Sequence, residues 1–198
     1  MRDYGVETNK EEILRFFIKS SLLQKAEMDE EAGYLSFDEG KLSFHEVTVN
    51  AYFASVVADF LRQKLLEKRV SFSFETVMSS PAKVALLKQA QALGYRTYLY
   101  YIATEDPSIN VARVKAWVDR GGHDVPVEKI VSRYDRSLNL LLEAVKHSNR
   151  VYVFDNSRQG TEQLWVAEIT NARELELKGD PMRLWSQKTV WDKINKPA

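Results

Sequence analysis

Apolar residues along this chain keep two rhythms, and the switches between them mark out its elements. Ile13, Leu14, Phe16, Phe17 and Ile18 sit among charges and predict a short amphipathic helix over about 11–19. Between 33 and 46 the spacing changes. Tyr34-Leu35-Ser36-Phe37 and Leu42-Ser43-Phe44 alternate around Asp38-Glu39-Gly40-Lys41, the signal of a hairpin. Phe53, Val57, Phe60 and Leu61, with Leu65 nearby, share one side of a helix expected from about 50 to 68, with Asn50 as its N-cap. Residues 70–75 alternate strictly, with Val70, Phe72 and Phe74 apolar, and predict a strand ending at Glu75-Thr76. Ser80-Pro81 then supplies a cap followed by proline at the first helical position, and Gly94 ends that helix.

The continuous run Tyr98-Leu99-Tyr100-Tyr101-Ile102 suits a strand covered on both faces. Asp106-Pro107 repeats the cap-and-proline device and opens a helix to about Arg120, which Gly121-Gly122 stops. Asp124-Val125-Pro126 opens another, reaching about His147. Val151-Tyr152-Val153-Phe154-Asp155-Asn156 reads as a further buried strand. Residues 164–170 and 174–177 can pair through Asn171-Ala172, and a tail helix near 181–193 carries Leu184, Trp185 and Trp191. The order strand, helix, strand, helix, helix, strand argues for an α/β fold with a parallel sheet flanked by helices and a C-terminal β-hairpin. Ligands of such sheets bind beyond the carboxyl ends of the strands. Here those ends are Glu75-Thr76, residues 103–105 and Asp155-Asn156.

A length of 198 residues fits one domain spanning 1–198. The 28 basic and 28 acidic side chains cancel, which speaks against a nucleic-acid partner, since that needs a basic surplus. The chain has no cysteine, so disulfides and thiolate metal sites are excluded. The N-terminus is polar and no apolar run is long enough for a membrane span. A cytoplasmic location and no membrane partner are expected by default.

Three groups of residues can carry chemistry. Glu75, at a strand end, can orient a hydroxyl nucleophile, take its proton or help hold a metal ion; it can equally be a surface charge. Thr76, Ser79 and Ser80 can meet phosphate oxygens, with Ser80 serving as a helix cap. Arg113 and Arg120 stand seven apart on one predicted helix. Arg133 and Arg136 stand three apart on the next, and Gly121-Gly122-His123-Asp124 joins the two. Arginines flanking a flexible glycine tip suit a phosphate-covering lid, because guanidinium forks stabilise charge on transferring phosphoryl oxygens. The same spacing also describes a solvated basic face with weak ion pairs. His123 suits a hydrogen-bond donor at the tip. His45 and His147 are isolated, and no metal-ligand pattern is present. A phosphate-binding loop G-x-x-x-x-G-K-[ST] is absent: the only Gly-Lys pair, Gly40-Lys41, is followed by Leu42.

Several strings in order resemble the zeta-toxin-like P-loop kinases, a bacterial family. They are Phe72-Ser73-Phe74-Glu75-Thr76, Gly94-Tyr95, Thr104-Glu105-Asp106-Pro107, Ile109-Asn110 and Arg113-Val114. Gly121-Gly122-His123-Asp124-Val125-Pro126, Arg133-Tyr134, Arg136-Ser137-Leu138 and Phe154-Asp155-Asn156-Ser157 follow. The resemblance covers about 50–157, and the double-glycine string with its downstream arginines is its most specific part. It implies a P-loop kinase fold, ATP with Mg2+ as cofactors, and transfer to a hydroxyl of a small-molecule substrate, in toxin members a UDP-activated amino sugar. It also implies an antitoxin protein partner. By position, Glu75, Arg113 and Arg120 take the catalytic places. Thr76, His123, Arg133, Arg136 and Asn156 take substrate or nucleotide places, no metal-site residue is named, and Mg2+ would come with the nucleotide and be only partly held by protein.

The family's opening strand and phosphate-binding loop would lie upstream of Met1. The expectation is therefore an N-terminally truncated domain, poorly stable and inactive as this chain alone. The alternative is a non-catalytic remnant or binding module; a weaker one is an RNA-binding module built on the lid arginines. Trp117 stands one turn after Arg113, where the family pattern leads one to expect another arginine. It can stack on a base or pack inside.

Overall fold

In the computed structural model of the chain, which describes residues 1–158, 160 and 163–178, two compact units follow one another. They are Met1–Phe74 and the unit from Glu75 onward.

The first unit comprises α1 (Lys10–Ile18), α2 (Ser21–Gln24), the hairpin strands β1 (Ser36–Asp38) and β2 (Lys41–Ser43), and α3 (Ala51–Glu67). Asn9 and Asn50 cap α1 and α3 by accepting backbone N–H groups, as the sequence suggested for Asn50. The hairpin turns at Glu39 and Gly40, both left-handed, and pairs Phe37 with Leu42. Ile13, Phe17, Leu23, Phe53 and Phe60 are fully or nearly fully buried in the core. Phe17 stacks on Phe53 at 6.3 Å, and Phe16 meets Phe60 edge-on at 5.1 Å.

Residues 70–75 do not form the expected strand. Strict alternation fixes which side chains share a face, but a strand also needs a neighbouring backbone, and among the described residues no strand pairs there. Phe72 and Phe74 instead stack on each other at 6.2 Å, and the Arg62 guanidinium lies 4.8 Å from the centre of the Phe74 ring.

The second unit runs α4 (Pro81–Ala92), β3 (Tyr98–Ala103), α5 (Pro107–Val118), α6 (Val127–Lys146), β4 (Arg150–Asp155), β5 (Leu164–Thr170) and β6 (Glu174–Leu177). The two cap-and-proline starts are as read: Ser80 and Asp106 accept N–H groups ahead of Pro81 and Pro107, and Gly94 closes α4 at φ +85°. The sheet order is β3-β4-β5-β6, and it is mixed rather than parallel. Only β3 and β4 run parallel, because the expected C-terminal hairpin adds β5 and β6 antiparallel. The hairpin turns at Asn171 and Ala172, both left-handed.

Helices α4 and α6 pack on one face of this sheet. Val84, Leu141, Ala144 and Val145 bury against Tyr101, Val151, Val153 and Ile169. The other face of β3 is open, with Tyr98, Tyr100 and Ile102 exposed, so β3 is not buried on both sides as its apolar run suggested. Aromatic residues fit either a core or a wet surface, and a run of them does not report its cover. The tail helix expected near 181–193 lies outside the described residues. No helix among the described residues is long and apolar enough to cross a membrane.

Candidate functional site

The parallel pair β3 and β4 ends at Ala103 and Asp155, and a small polar network gathers at these two strand tips. The backbone continues the ladder one step further, with the Asn156 N–H donating to the Ala103 carbonyl at 2.8 Å. Asp155 is buried and accepts twice from Ser157: from its N–H at 2.9 Å and its hydroxyl at 3.0 Å. The same Ser157 hydroxyl oxygen accepts the Glu105 N–H at 2.8 Å. One hydroxyl therefore staples the loop after β3 to the loop after β4.

Thr104 fixes the start of α5. Its buried hydroxyl donates to the Asp106 carbonyl at 3.1 Å and accepts from the Asn110 amide at 2.9 Å. Asp106 caps the helix by accepting the Ser108 N–H at 2.7 Å, and these bonds from Ser108 hold its carboxyl below the usual range. From α6 the Tyr134 hydroxyl donates to the Thr104 carbonyl at 2.8 Å. Burial pushes the Tyr134 phenol upward, and the carboxylates of Asp106, Asp135, Asp155 and Glu105 add to the shift.

The arginines divide. Arg113, on α5, donates from Nη2 to the Arg158 carbonyl at 3.3 Å, which ties the helical hairpin to the chain just past β4. Its guanidinium keeps further donors for an anion at the strand tips. Arg120 does not share that helical face. The helix ends at Val118, Gly121 turns left-handed at φ +91°, and Arg120 folds back to donate from Nε to the Ala116 carbonyl at 2.9 Å. A cation there satisfies the unpaired end of α5 and complements its dipole. Arg136 donates from Nε to the Ser79 carbonyl at 3.2 Å, which pins the segment before α4 to α6. Arg133 is exposed.

At the turn between α5 and α6, His123 meets Trp117 edge-on at 4.4 Å between ring centres. Gly122 lies so close beneath the indole that an added methyl would overlap its ring carbons. Trp117 thus lies against the turn with its indole still 42% exposed and does not pack inside.

Glu75 and Thr76 are exposed at the start of this unit. The Thr76 hydroxyl accepts the Met78 N–H at 3.3 Å, and Met78 is buried in the core, so this segment is anchored three residues beyond Glu75. Among the described residues Glu75 makes no hydrogen bond or ion pair with the arginines, and no group of three His, Asp or Glu is placed to hold a metal. Sequence reasoning pointed to the strand tips, Thr104 and Asp155 among them, but gave no site role to Tyr134 and Ser157. Their signal was their position in the Arg133-Tyr134 and Asp155-Asn156-Ser157 strings.

An α/β unit with a parallel strand pair, a helical hairpin anchored at the strand tips and an arginine on that hairpin has the make-up of a P-loop-like fold. A family model described as Zeta toxin matches residues 37–168, and the chain belongs to that family, a nucleotide-binding P-loop family with kinase-like function. An uncharacterized protein of Haemophilus influenzae is 30% identical over 69 residues, which is 35% of this chain and 49% of that protein. The chain thus spans about half the length of the curated relative it matches. No solved structure matches it significantly.

Proposed function

We propose that this chain carries the lid and strand-tip part of an ATP-dependent phosphotransferase acting on a hydroxyl of a small molecule, with a UDP-amino sugar as the first acceptor to try. The observation that supports this most is the placement of Arg113. It sits on the helical hairpin that starts at the tip of β3, and its guanidinium bonds to the chain just past β4. Cationic donors fixed at strand tips favour charge that develops on phosphoryl oxygens.

The fit to nucleotide is partial. Arg113 suits a phosphate. The 198 residues contain no G-x-x-x-x-G-K-[ST], so they form no backbone cradle for the β- and γ-phosphates. Asp155 is engaged by Ser157, and Mg2+ would arrive held by the phosphates. The chain's own part is then to present Arg113, to keep the two loops registered through Ser157, and to close with the Gly121-Gly122 turn. Glu75 is the candidate base for the acceptor hydroxyl. An antitoxin protein is the partner this family reading brings with it.

Calorimetric titration of the 198-residue chain with Mg-ATP tests the reading. The expected Kd is about 1 mM or weaker, with Arg113→Ala weakening the binding further. Micromolar binding would overturn the missing cradle, and binding unchanged in Arg113→Ala would remove the lid role.

A further inference from the structure

Helix α5 turns one face to the strand tips. The Asn110 amide on that face donates to the Thr104 hydroxyl at 2.9 Å, and one turn further Arg113 reaches the Arg158 carbonyl at 3.3 Å. Trp117 stands seven residues after Asn110 and four after Arg113, so the helical repeat puts it on the same face. Folded proteins bury most of a tryptophan on average, yet this one is 42% exposed.

The ring is held in place from one side. A carbon added at Gly122 would come 2.3 Å from Cδ2 and 2.4 Å from Cε2 of the indole, the two atoms its fused rings share. Near-equal approach to both means that Gly122 lies over the ring and covers one of its faces. His123 meets the indole edge-on at 4.4 Å. The neighbours Lys115, Asp119 and Arg120 are exposed and charged. Charge around a lone indole suits a small polar aromatic ligand better than the centre of a protein interface, where charged residues are scarce.

We propose that the exposed part of the Trp117 indole stacks on a nucleobase whose phosphates reach Arg113. Stacking needs a positioned aromatic ring and accepts any base, since every base has a π-face. Four residues of helix separate the two groups by about 6 Å along the axis, which leaves room for a ribose between base and phosphate. The family to which the chain belongs binds nucleotides. The ligand chemistry is that of a nucleoside phosphate, and its base comes from the ATP donor or from a nucleotide-activated acceptor. The site rests on the phosphotransferase reading, because Arg113 serves both, and it makes Trp117 the residue that tells a nucleotide from a bare phosphate.

Nuclear magnetic resonance of the 198-residue chain follows both ends of this site. The Trp117 indole N–H is assigned by its loss in Trp117→Phe, and the Arg113 guanidinium by its loss in Arg113→Ala. Mg-ATP or Mg-UDP, at several times a Kd of about 1 mM, should shift the indole signal upfield through the ring current of the stacked base. A shift with ATP alone assigns the donor's adenine, and one with UDP the acceptor's base. Mg-tripolyphosphate, which has no base, should move Arg113 alone. Trp117→Leu should weaken nucleotide binding, read at Arg113, by at least about fivefold and leave tripolyphosphate binding unchanged. Nucleotides that move Arg113 without Trp117 overturn the stacking site and leave the lid reading standing. An equal indole shift with tripolyphosphate also overturns it, and so does a folded Trp117→Leu chain that binds nucleotide as tightly as the wild type. Silence at both residues overturns the stacking site and the lid reading together.

Discussion

Gly122 and Tyr101 show how much a single position can control here. At Gly122 the indole of Trp117 occupies the space a side chain would need. In Gly122→Ala the partly exposed Trp117 indole must move aside, and the cost should be no more than about 1 kcal/mol, the low end of overpacking in a closed core; thermal unfolding of the variant measures it. Tyr101 is buried with its hydroxyl 3.1 Å from that of Ser137, and burial pushes its phenol up to about 12. A phenol raised in the folded state gives stability that is fully present below pH 10, near its ordinary value, and lost as pH rises through about 12. Denaturant melts between pH 9 and pH 12 should therefore lose stability steeply, and Tyr101→Phe should flatten that slope.

Among the elements, the helix starts were the most legible, because a cap states its own chemistry. Asn50, Ser80-Pro81 and Asp106-Pro107 all act as the sequence suggested. Strands were less so. Residues 70–75 have the rhythm of a strand and no ladder, since rhythm records faces and says nothing of a partner. Arg120 falls past the end of α5 because the two glycines end the helix earlier than a spacing of seven requires. The Ser157 staple was invisible in the sequence: it joins groups 52 residues apart through a hydroxyl that any loop serine carries. Ser157→Ala removes a donor from buried Asp155 and the acceptor for the Glu105 N–H. It should destabilise the second unit by about 1–3 kcal/mol, read as a lower midpoint in denaturant, with Ser157→Thr recovering part of the loss.

In the whole molecule, the family match runs across the division at Phe74 and Glu75, from the hairpin of the first unit into β5 of the second. That division falls inside an alternating apolar segment with no glycine or proline to mark it. The α/β class was legible from element order alone. The one-sided cover of the sheet was not, because it depends on where helices dock. The lid reading is tested most directly by nuclear magnetic resonance of the 198-residue chain titrated with Mg-ATP. Shifts should concentrate at the Arg113 guanidinium and at residues 104–106 and 155–158, with Arg113→Ala abolishing them. A saturable response that leaves Arg113 and both strand tips unmoved would contradict the account.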